Sequence, residues 1–285
     1  MSNDIADIAQ KAAGVCPAVK TVEVVKAVDA ADAQAMARRS RGADCATCPL
    51  RRSAVFSPVT SAQLALIDAL KRAEWDSEAG SLLITEGQTD APLYTLLAGW
   101  AMRFKTLSDG RRQIVQVLLP GDFIGLQQKM DAAASHGVQA LTGIRVCSFT
   151  RDALWRLHRD APELGYDITW LAAHGQRLLD DNLLSVGRRH ATERVAAVLL
   201  SLWHRAAPFQ PGAETEGLVF PLTHQHLADA LGLSLVHTHR SLRLLRQRGL
   251  LRWLPERRLL LPDPVALSAL AQLPWPLDAG TRPLI

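Results

Sequence analysis

The chain has 285 residues, of which 48% are apolar and 21% are charged, and this composition predicts about two globular domains rather than a disordered chain. The formal net charge is only +4, but residues 222–258 hold seven arginines against Asp229 and Glu256, so this window carries +5 and the remainder about −1. The basic charge is therefore local, which favours one module for a polyanion and excludes a uniformly basic surface.

The N-terminal sequence lacks the features of a secretory leader. It has no basic segment followed by an apolar run, and no stretch of the chain approaches the ~18 uncharged apolar residues of a membrane span. The sequence therefore predicts a cytoplasmic protein without a membrane partner. Residues 1–44 are rich in Ala, Val and Asp and lack the turn residues of a packed sheet, so we expect a partly disordered extension.

Residues 45–158 are expected to form a sensory β domain. Short apolar runs are separated by glycines at near-regular intervals, and Trp100, Met102 and Phe104 fall on alternate positions, as on one face of a strand. The Ser-Asp-Gly sequence at 108–110 is typical of a hairpin turn. These features predict a small antiparallel barrel or sandwich.

Residues 159–206 have the pattern of a long helix. Apolar and small residues recur at alternating four- and three-residue spacing, namely Leu164, Ile168, Leu171, Gly175, Leu178, Asn182 and Ser185. This heptad-like seam predicts a dimerisation helix, and packing of the helix on its own barrel is the alternative.

Residues 207–275 are expected to form a winged helix-turn-helix, and residues 276–285 a C-terminal tail. Thr223 and Ser234 are placed to cap two helices, and Gly232 can adopt the left-handed conformation that joins them. The sequence RWLPERRLLL, residues 252–261, then predicts a two-stranded wing with Arg257 and Arg258 at its tip.

The second helix of this pair is expected to read DNA. Thr238, Leu242 and Leu245 share one face and should pack inward, while the residues that project outward near its N-terminal half are His237, His239, Arg240 and Arg243. A recognition helix meets base edges there, and Arg can bond guanine O6 and N7 together. The alternative is that the arginines only solvate a surface helix, but the scarcity of acidic residues around them argues against it.

Together these features resemble the CRP/FNR family of bacterial transcription factors, over roughly Cys45 to Leu273. The resemblance rests on LLPGDFIGL (118–126), LLSVGRRHATERVAAVLLSL (183–202) and LTHQHLADALGLSLVHTHRSLRLL (222–245), which occur in the family's order. It implies an α+β fold: an antiparallel β-barrel of the cyclic-nucleotide-binding jelly-roll type, a long dimerisation helix and a winged helix-turn-helix. It also implies a homodimer on a palindromic operator in double-stranded DNA, with RNA polymerase as a partner.

The resemblance implies roles for single residues. The family's operator-reading arginine falls on Arg240, and the phosphate-contacting start of the first helix falls on Thr223, His224 and Gln225. With the outward residues, the expected DNA-binding set is Thr223, His224, Gln225, Ser234, His237, His239, Arg240, Arg243 and Arg257. Where the best-known branches have glutamate this chain has Val236, which cannot accept from cytosine N4, so its half-site should differ from theirs.

The family resemblance suggests two kinds of signal that the barrel could bind, a cyclic nucleotide or an iron–sulfur cluster. Members that bind cyclic AMP hold its phosphate with an Arg-Ser pair, but His136 and Gly137 stand there and no Arg lies between Leu126 and Gly143, so a cyclic nucleotide is not expected. Members of the oxygen-sensing branch hold an iron–sulfur cluster with cysteines, and the cysteines in comparable positions here are Cys45, Cys48 and Cys147.

A further cysteine expected shortly after Cys48 is missing, so Cys16, 29 residues before Cys45, would have to complete a four-thiolate site. Zinc on the same thiolates, a Cys45–Cys48 disulfide and no cofactor remain open, and Cys147 alone is typical of a buried small hydrophobic residue.

Two other classes of function are weighed. A thiol redox enzyme using the Cys45–Cys48 pair lacks a βαβ context, and a ligand-binding module without DNA would not explain the basic helix pair. The sequence therefore predicts a non-enzymatic transcription regulator that senses a redox, gas or small-molecule signal, and it leaves the effector and the operator open.

Overall fold

The computed structural model describes residue 42 and residues 44–127, 129, 131–277 and 280–285, which lie in one compact unit spanning residues 38–285. Apart from residues 42 and 44, the expected extension, including Cys16, lies outside the described residues. Two short 3₁₀ turns, Cys45–Thr47 and Pro49–Arg52, precede helix α1 (Ser61–Leu70). Within the described ranges, no helix has the length and apolar character that a membrane crossing requires.

The β domain is built from two antiparallel four-stranded sheets, ordered β1-β8-β3-β6 and β2-β7-β4-β5. Their strands are β1 (Lys71–Ser77), β2 (Leu82–Ile84), β3 (Leu93–Ala98), β4 (Ala101–Thr106), β5 (Arg112–Leu118), β6 (Phe123–Ile124), β7 (Gly137–Ala140) and β8 (Ile144–Phe149). Leu96, Val138 and Val146 are fully buried between them. The predicted antiparallel barrel is confirmed.

Three helices follow the barrel: α2 (Asp152–Asp160), α3 (Pro162–Arg188) and α4 (Ala191–Ala206). The range 159–206, predicted as one long helix, is therefore broken at Arg189 and His190. Arg189 is extended and buried, and its Nε donates to the carbonyl of Ala271 at 2.8 Å. His190 restarts the helix, because its backbone N–H donates to the Glu193 carboxylate at 2.8 Å.

The predicted dimer seam on α3 faces the chain's own barrel. Leu164 and Ile168 are buried in a cluster with Cys147 and Phe149, and Asn182 donates to the carbonyl of Val115 on β5 at 3.2 Å. Leu178 and Ser185 are also buried. Four of the seven predicted seam residues are therefore buried within their own chain, as the alternative of packing on the barrel expects, and dimerisation through this helix stays a prediction. The large apolar side chains that α3 exposes are Tyr166, Leu183 and Leu184.

The C-terminal region forms a winged helix-turn-helix. It comprises α5 (Ala213–Glu216), β9 (Leu218–Val219), α6 (His224–Leu231), α7 (Leu235–Gln247), β10 (Arg252–Leu254), β11 (Arg258–Leu260) and α8 (Pro264–Ala271). The wing strands pair as predicted, and β9 adds a third strand in the order β10-β11-β9. Trp100 and Met102 pack with Leu227 of α6 in one apolar cluster, so the second sheet and the C-terminal region share a core.

Residues 281–285, expected only as a tail, return to the β domain. The backbone N–H of Arg282 donates to the carbonyl of Val55 at 2.9 Å, and its side chain stacks over the rings of Phe56 and Phe209. The hydroxyl of Thr95 on β3 donates to the carbonyl of Ile285 at 2.6 Å. No local pattern in the sequence predicts this contact, because its partners are distant along the chain.

A buried carboxylate ties three parts of the molecule together. Asp122, between β5 and β6, accepts from Arg205 of α4 at 2.9 Å and from Arg282 at 2.8 Å. Its other contact is the backbone N–H of Leu119 at 2.8 Å. The barrel, helix α4 and the returning C-terminal segment thus meet at one charge cluster.

Candidate nucleic-acid interface

The two helices of the motif are set by local capping. The Thr223 hydroxyl accepts from the backbone N–H of His226 at 3.1 Å, and Ser234 accepts from that of His237 at 3.3 Å. Gly232 ends α6 with φ +61°, in the left-handed region that an L side chain rarely adopts. The predicted caps and turn are confirmed.

Helix α7 has one buried and one exposed face. Thr238, Leu242 and Leu245 are buried as predicted, and Ser241 joins them. The outward side chains expected to face DNA are exposed, namely His237, His239, Arg240 and Arg243. The arginines are therefore free to reach a groove of DNA.

An open groove of about 1020 Å³ lies between α6, α7 and the wing. Of the expected DNA-binding residues, it is lined by Thr223, His224, His239, Arg240, Arg243 and Arg257. Three others do not line it: Gln225 donates to Asp229 at 2.6 Å, while Ser234 and His237 bond each other at 3.1 Å. The groove also includes Val236, Arg246 and Trp253.

Two histidines meet across the helix pair in this groove. Nδ1 of His224 and Nε2 of His239 are 3.2 Å apart, and the rings meet edge to face with centroids 4.2 Å apart. Burial lowers the pKa of His224, and the neighbouring His239 and Arg257 lower it further. Sequence reasoning selected both residues but could not predict the contact, because they lie 15 residues apart.

The two arginines that were predicted at the tip of the wing, Arg257 and Arg258, have different hydrogen-bond partners. Glu256 and Arg257 both have φ +57°, and Arg257 donates to the carbonyl of Pro221 at 2.9 Å beside the start of α6. Arg258, predicted at the tip, is the first residue of β11 and donates to the carbonyl of Gly217 at 3.0 Å. Its placement at the tip is wrong, because that bond turns its side chain back toward the sheet.

The first helix of the motif contacts strand β5 of the second sheet. Asp229, the acid in α6, lies 3.4 Å from Arg112 of β5, and Gln113 donates to the carbonyl of Ala230 at 3.0 Å. Asp229 is therefore turned toward Arg112, and the described residues that line the groove include no carboxylate that could pair with its arginines. The groove is therefore suited to an anionic backbone.

A second cavity, of about 510 Å³, lies in the β domain, and Cys45, Cys48 and Cys147 are among the residues that line it. Burial raises the pKa of Cys45 to about 11 and that of Cys147 to about 12. Arg51 and Lys71 line the same cavity, so a thiolate formed there would face two cations. Leu284 and Ile285 of the returning segment also line it, which the sequence did not reveal.

The described cysteines are only part of the expected ligand set, because Cys16 lies outside the described residues. Among the residues that the structure describes, no three His, Cys, Asp or Glu side chains are placed together as metal ligands. The structure brings three predicted cysteines to one cavity, but their described positions do not complete a ligand set.

The expected cyclic-phosphate position is closely packed. His136 is buried, and burial lowers its pKa to about 4. A Cβ added at Gly137 would lie 2.5 Å from the Phe104 ring. An aromatic side chain thus occupies the space beside the residues that replace the Arg-Ser pair.

Comparisons with known proteins match both halves of the chain. The Crp-like helix-turn-helix domain matches residues 193–270, and the cyclic nucleotide-binding domain matches residues 75–161. The chain is 32% identical over 227 residues to the nitrogen fixation regulation protein FixK of Bradyrhizobium diazoefficiens, covering 80% of this chain and 93% of that protein. It is 28% identical over 221 residues to the transcriptional activator protein FnrL of Cereibacter sphaeroides, covering 77% and 88%.

Solved structures share the fold. FixK2 from Bradyrhizobium japonicum superposes with a TM-score of 0.63 and 26% identity, covering 70% of this chain and 96% of that one. The transcriptional regulator TTHB099 from Thermus thermophilus superposes with a TM-score of 0.59 and 23% identity, covering 72% and 99%. The order of barrel, helix and winged helix-turn-helix is common to these proteins.

Proposed function

Because the chain belongs to the CRP/FNR family of bacterial transcription regulators, we propose that it binds a two-fold-symmetric operator as a homodimer, with α7 of each protomer in one half-site. Family membership makes it a DNA-binding transcription regulator, and the matched domains and relatives are regulators rather than enzymes. The observation that carries the proposal is the basic groove, in which exposed Arg240 and Arg243 stand on a capped helix.

The residues of the groove divide into two roles. Arg240 lies in the N-terminal half of α7 and reads a base, because its guanidinium can bond guanine O6 and N7 together. Thr223, at the N-terminal cap of α6, and Arg257 of the wing contact phosphate and set the register. Val236 is 74% exposed and offers only apolar contact, so the position facing it is read at most through a thymine methyl group.

Dimerisation uses the exposed face of α3. Tyr166 near the start of α3 and Leu183 and Leu184 near its end expose 70%, 72% and 51% of their surface, and large exposed apolar side chains on one helix favour a protein partner. A second copy of α3 covers these side chains and places two α7 helices on a palindromic site. The regulator acts on RNA polymerase in the cytoplasm, where bacterial DNA is transcribed.

The signal is received at the cavity lined by Cys45, Cys48 and Cys147. Burial raises the pKa of Cys45 to about 11 and that of Cys147 to about 12, so both are neutral thiols at neutral pH, and Lys71 opposes this burial effect by stabilising the thiolate form. The form that family resemblance implies is an iron–sulfur cluster completed by Cys16. Zinc on the same thiolates, or thiol oxidation without metal, would use the same residues. We propose no cyclic-nucleotide effector.

DNA binding is tested by fluorescence anisotropy with duplex DNA over a range of salt concentrations. Wild-type protein should show affinity that falls steeply with salt, and an Arg240→Ala, Arg243→Ala double variant should bind more weakly with a shallower slope. Arg159→Ala is the matched control, because Arg159 is an exposed arginine on α2 and pairs with Asp160 at 2.6 Å. Equal losses in both variants would contradict the assignment of the groove.

The cofactor is tested on protein purified without oxygen, by its visible spectrum and by iron, sulfide and zinc analysis. A cluster should absorb in the visible range, and Cys48→Ser and Cys147→Ser should each remove that absorption, because a four-thiolate site does not readily lose a ligand. Colourless protein free of iron and zinc would rule out the metal forms and leave thiol chemistry alone.

A further inference from the structure

The C-terminal segment, residues 281–285, lies between the cysteine cavity and helix α4. We propose that this segment couples the two, so that an occupant of the cavity that displaces Leu284 and Ile285 loosens α4 and weakens DNA binding. The coupling rests on the proposed functions of the cavity and of the groove, and it adds the physical connection between them.

Leu284 and Ile285 form part of the cavity wall. Ile285 packs in one apolar cluster with Cys45 and Cys147, and both cysteines are buried. Leu284 is buried in a neighbouring cluster, against which Cys48 also packs. Each of the described cysteines thus shares an apolar cluster with a side chain of the segment, so a group added at a cysteine competes with that side chain for space.

Hydrogen bonds to two side chains hold the backbone of these residues. The hydroxyl of Thr95 on β3 donates to the carbonyl of Ile285 at 2.6 Å, and the guanidinium of Arg51 donates to the carbonyl of Leu284 at 3.3 Å. Arg51 also lines the cavity. An anion in the cavity, such as a thiolate, attracts this guanidinium more strongly than a neutral carbonyl does. A change of charge at the cysteines therefore acts on the segment as well.

Arg282 anchors the other end of the segment. Its backbone N–H donates to the carbonyl of Val55 at 2.9 Å. Its guanidinium donates to the carboxylate of Asp122 at 2.8 Å and lies over the rings of Phe56 and Phe209, 5.1 and 5.8 Å from their centres. Because Phe56 precedes the barrel and Phe209 lies in the turn that follows α4, this one side chain joins the two parts.

A single residue separates this anchor from the cavity wall. Pro283 lies between Arg282 and Leu284, and its ring holds the backbone angle φ at about −65°. So short and stiff a connection has little freedom to absorb a movement. A displaced Leu284 therefore draws Arg282 away from Asp122.

The withdrawal of Arg282 reaches α4 through two contacts. Arg205, at the C-terminal end of α4, donates to the same carboxylate of Asp122 at 2.9 Å, so the charge balance of this buried pair changes when the second guanidinium leaves. Phe209 also loses the guanidinium that lies over its ring. The end of α4 is then held less firmly against the β domain.

Helix α4 in turn supports the recognition helix α7. Leu199 of α4 lies in one apolar cluster with Leu242 and Leu245 of α7. The hydroxyl of Thr192, near the start of α4, donates to that of Ser241 at 3.5 Å. An α7 whose support is looser must be ordered when DNA binds, and this ordering lowers the affinity.

The coupling is tested on the full chain by two measurements. Hydrogen exchange followed by mass spectrometry reports how firmly residues 281–285 are docked, and fluorescence anisotropy with duplex DNA reports affinity. Arg282→Gln should raise the exchange of the segment and weaken DNA binding by about fivefold or more, because it removes the anchor. Thr95→Val removes only the hydroxyl that holds Ile285, and it should change both quantities in the same direction by a smaller factor.

Ile84→Ala is the matched control for loss of stability. Ile84 is buried in the interior of the barrel, in a cluster that contains no residue of the segment. This variant should unfold at a lower urea concentration than the wild type. Exchange of residues 281–285 and affinity for DNA should both stay unchanged in it.

The cavity end is tested by treating reduced, metal-free protein with iodoacetamide, in which a thiolate sulfur displaces iodide. Cys48 is the least buried of the described cysteines and should react first, as peptide mass spectrometry will show. The added acetamide group should raise exchange of residues 281–285 and weaken DNA binding in the wild type. It should cause no further loss in Arg282→Gln, because the link is already broken. Cys48→Ser, treated in the same way, controls for modification elsewhere.

Unchanged exchange of the segment in Arg282→Gln, or faster exchange with unchanged DNA affinity, would overturn the coupling while leaving the proposed function intact. An equal loss of affinity in Ile84→Ala would also overturn it, because lower stability would then explain the effect. If Arg282→Gln does not fold, Thr95→Val decides the same comparison. A wild-type chain that bound no duplex DNA would instead contradict the proposed function itself.

Discussion

Replacing Asp122 by Asn should destabilise the protein strongly. Asp122 is 6% exposed and pairs with two guanidinium groups, those of Arg205 and Arg282. Asn keeps the size of the side chain but removes its charge. Both arginines would then remain in place with no carboxylate to compensate them, and Nε of each already finds no hydrogen-bond partner among the described residues.

The magnitude follows from this burial. Removing one partner of a buried ion pair costs about 3–5 kcal/mol, because the remaining charge is left uncompensated. Asp76→Asn is the matched control: Asp76 accepts from Arg145 at 2.7 and 2.9 Å, but its side chain is 69% exposed. An exposed ion pair contributes about 0–1 kcal/mol to stability. The loss in free energy of unfolding should therefore be severalfold larger for Asp122→Asn than for Asp76→Asn.

The assay is urea unfolding followed by far-UV circular dichroism, with the slopes compared as well as the midpoints. Asp122→Asn should lower the free energy of unfolding by about 3–5 kcal/mol and Asp76→Asn by less than about 1 kcal/mol. If Asp122→Asn unfolded at the same urea concentration as Asp76→Asn, the cluster would not join the three parts of the molecule as described.

Other predictions concern the dimer, the former seam and pH. A Leu183→Glu, Leu184→Glu double variant should sediment as a folded monomer, because both side chains are exposed within one chain and the charges would oppose pairing of two α3 helices. The control Val265→Glu, on α8, should remain a dimer. If the double variant kept the mass of the wild-type protein in sedimentation, α3 would not form the interface. Leu178→Glu should instead lower stability, because Leu178 is buried in its own chain, and full stability would contradict that burial. Burial lowers the pKa of His136 to about 4, so the unfolded chain binds its proton first and stability should fall as pH drops from about 6.5 to about 4. In urea unfolding, the free energy of unfolding of His136→Gln should decrease less between about pH 6.5 and about pH 4 than that of the wild-type protein. An equal decrease in both proteins would show that His136 is not its cause.

The parts of the fold that sequence predicted best depend on local chemistry. The caps at Thr223 and Ser234 and the turn at Gly232 follow from side chains and backbone conformations within a few residues. The direction of the arginines on α7 likewise follows from helical periodicity once the buried face is known. The prediction that Cys45 and Cys147 share one site came from the family resemblance and not from their spacing in the sequence.

The parts that sequence missed depend on distant contacts. Heptad spacing on α3 showed that one face is apolar, but Leu164 and Ile168 satisfy that pattern against their own barrel as well as they would against a partner. The break at Arg189 is held by a bond to Ala271, 82 residues away. The contact of Arg282 with Asp122 spans 160 residues, and no periodic pattern carries that information.

The central claim is that α7 reads the operator through Arg240, and operator selection from a random pool with Arg240→Ala tests it most directly. This variant should lose about 1–3 kcal/mol on the wild-type site and relax preference at one base pair of each half-site. Arg257→Ala is the control and should weaken all sequences about equally, with a salt slope lower by about one per protomer. Full base discrimination by Arg240→Ala would contradict the claim.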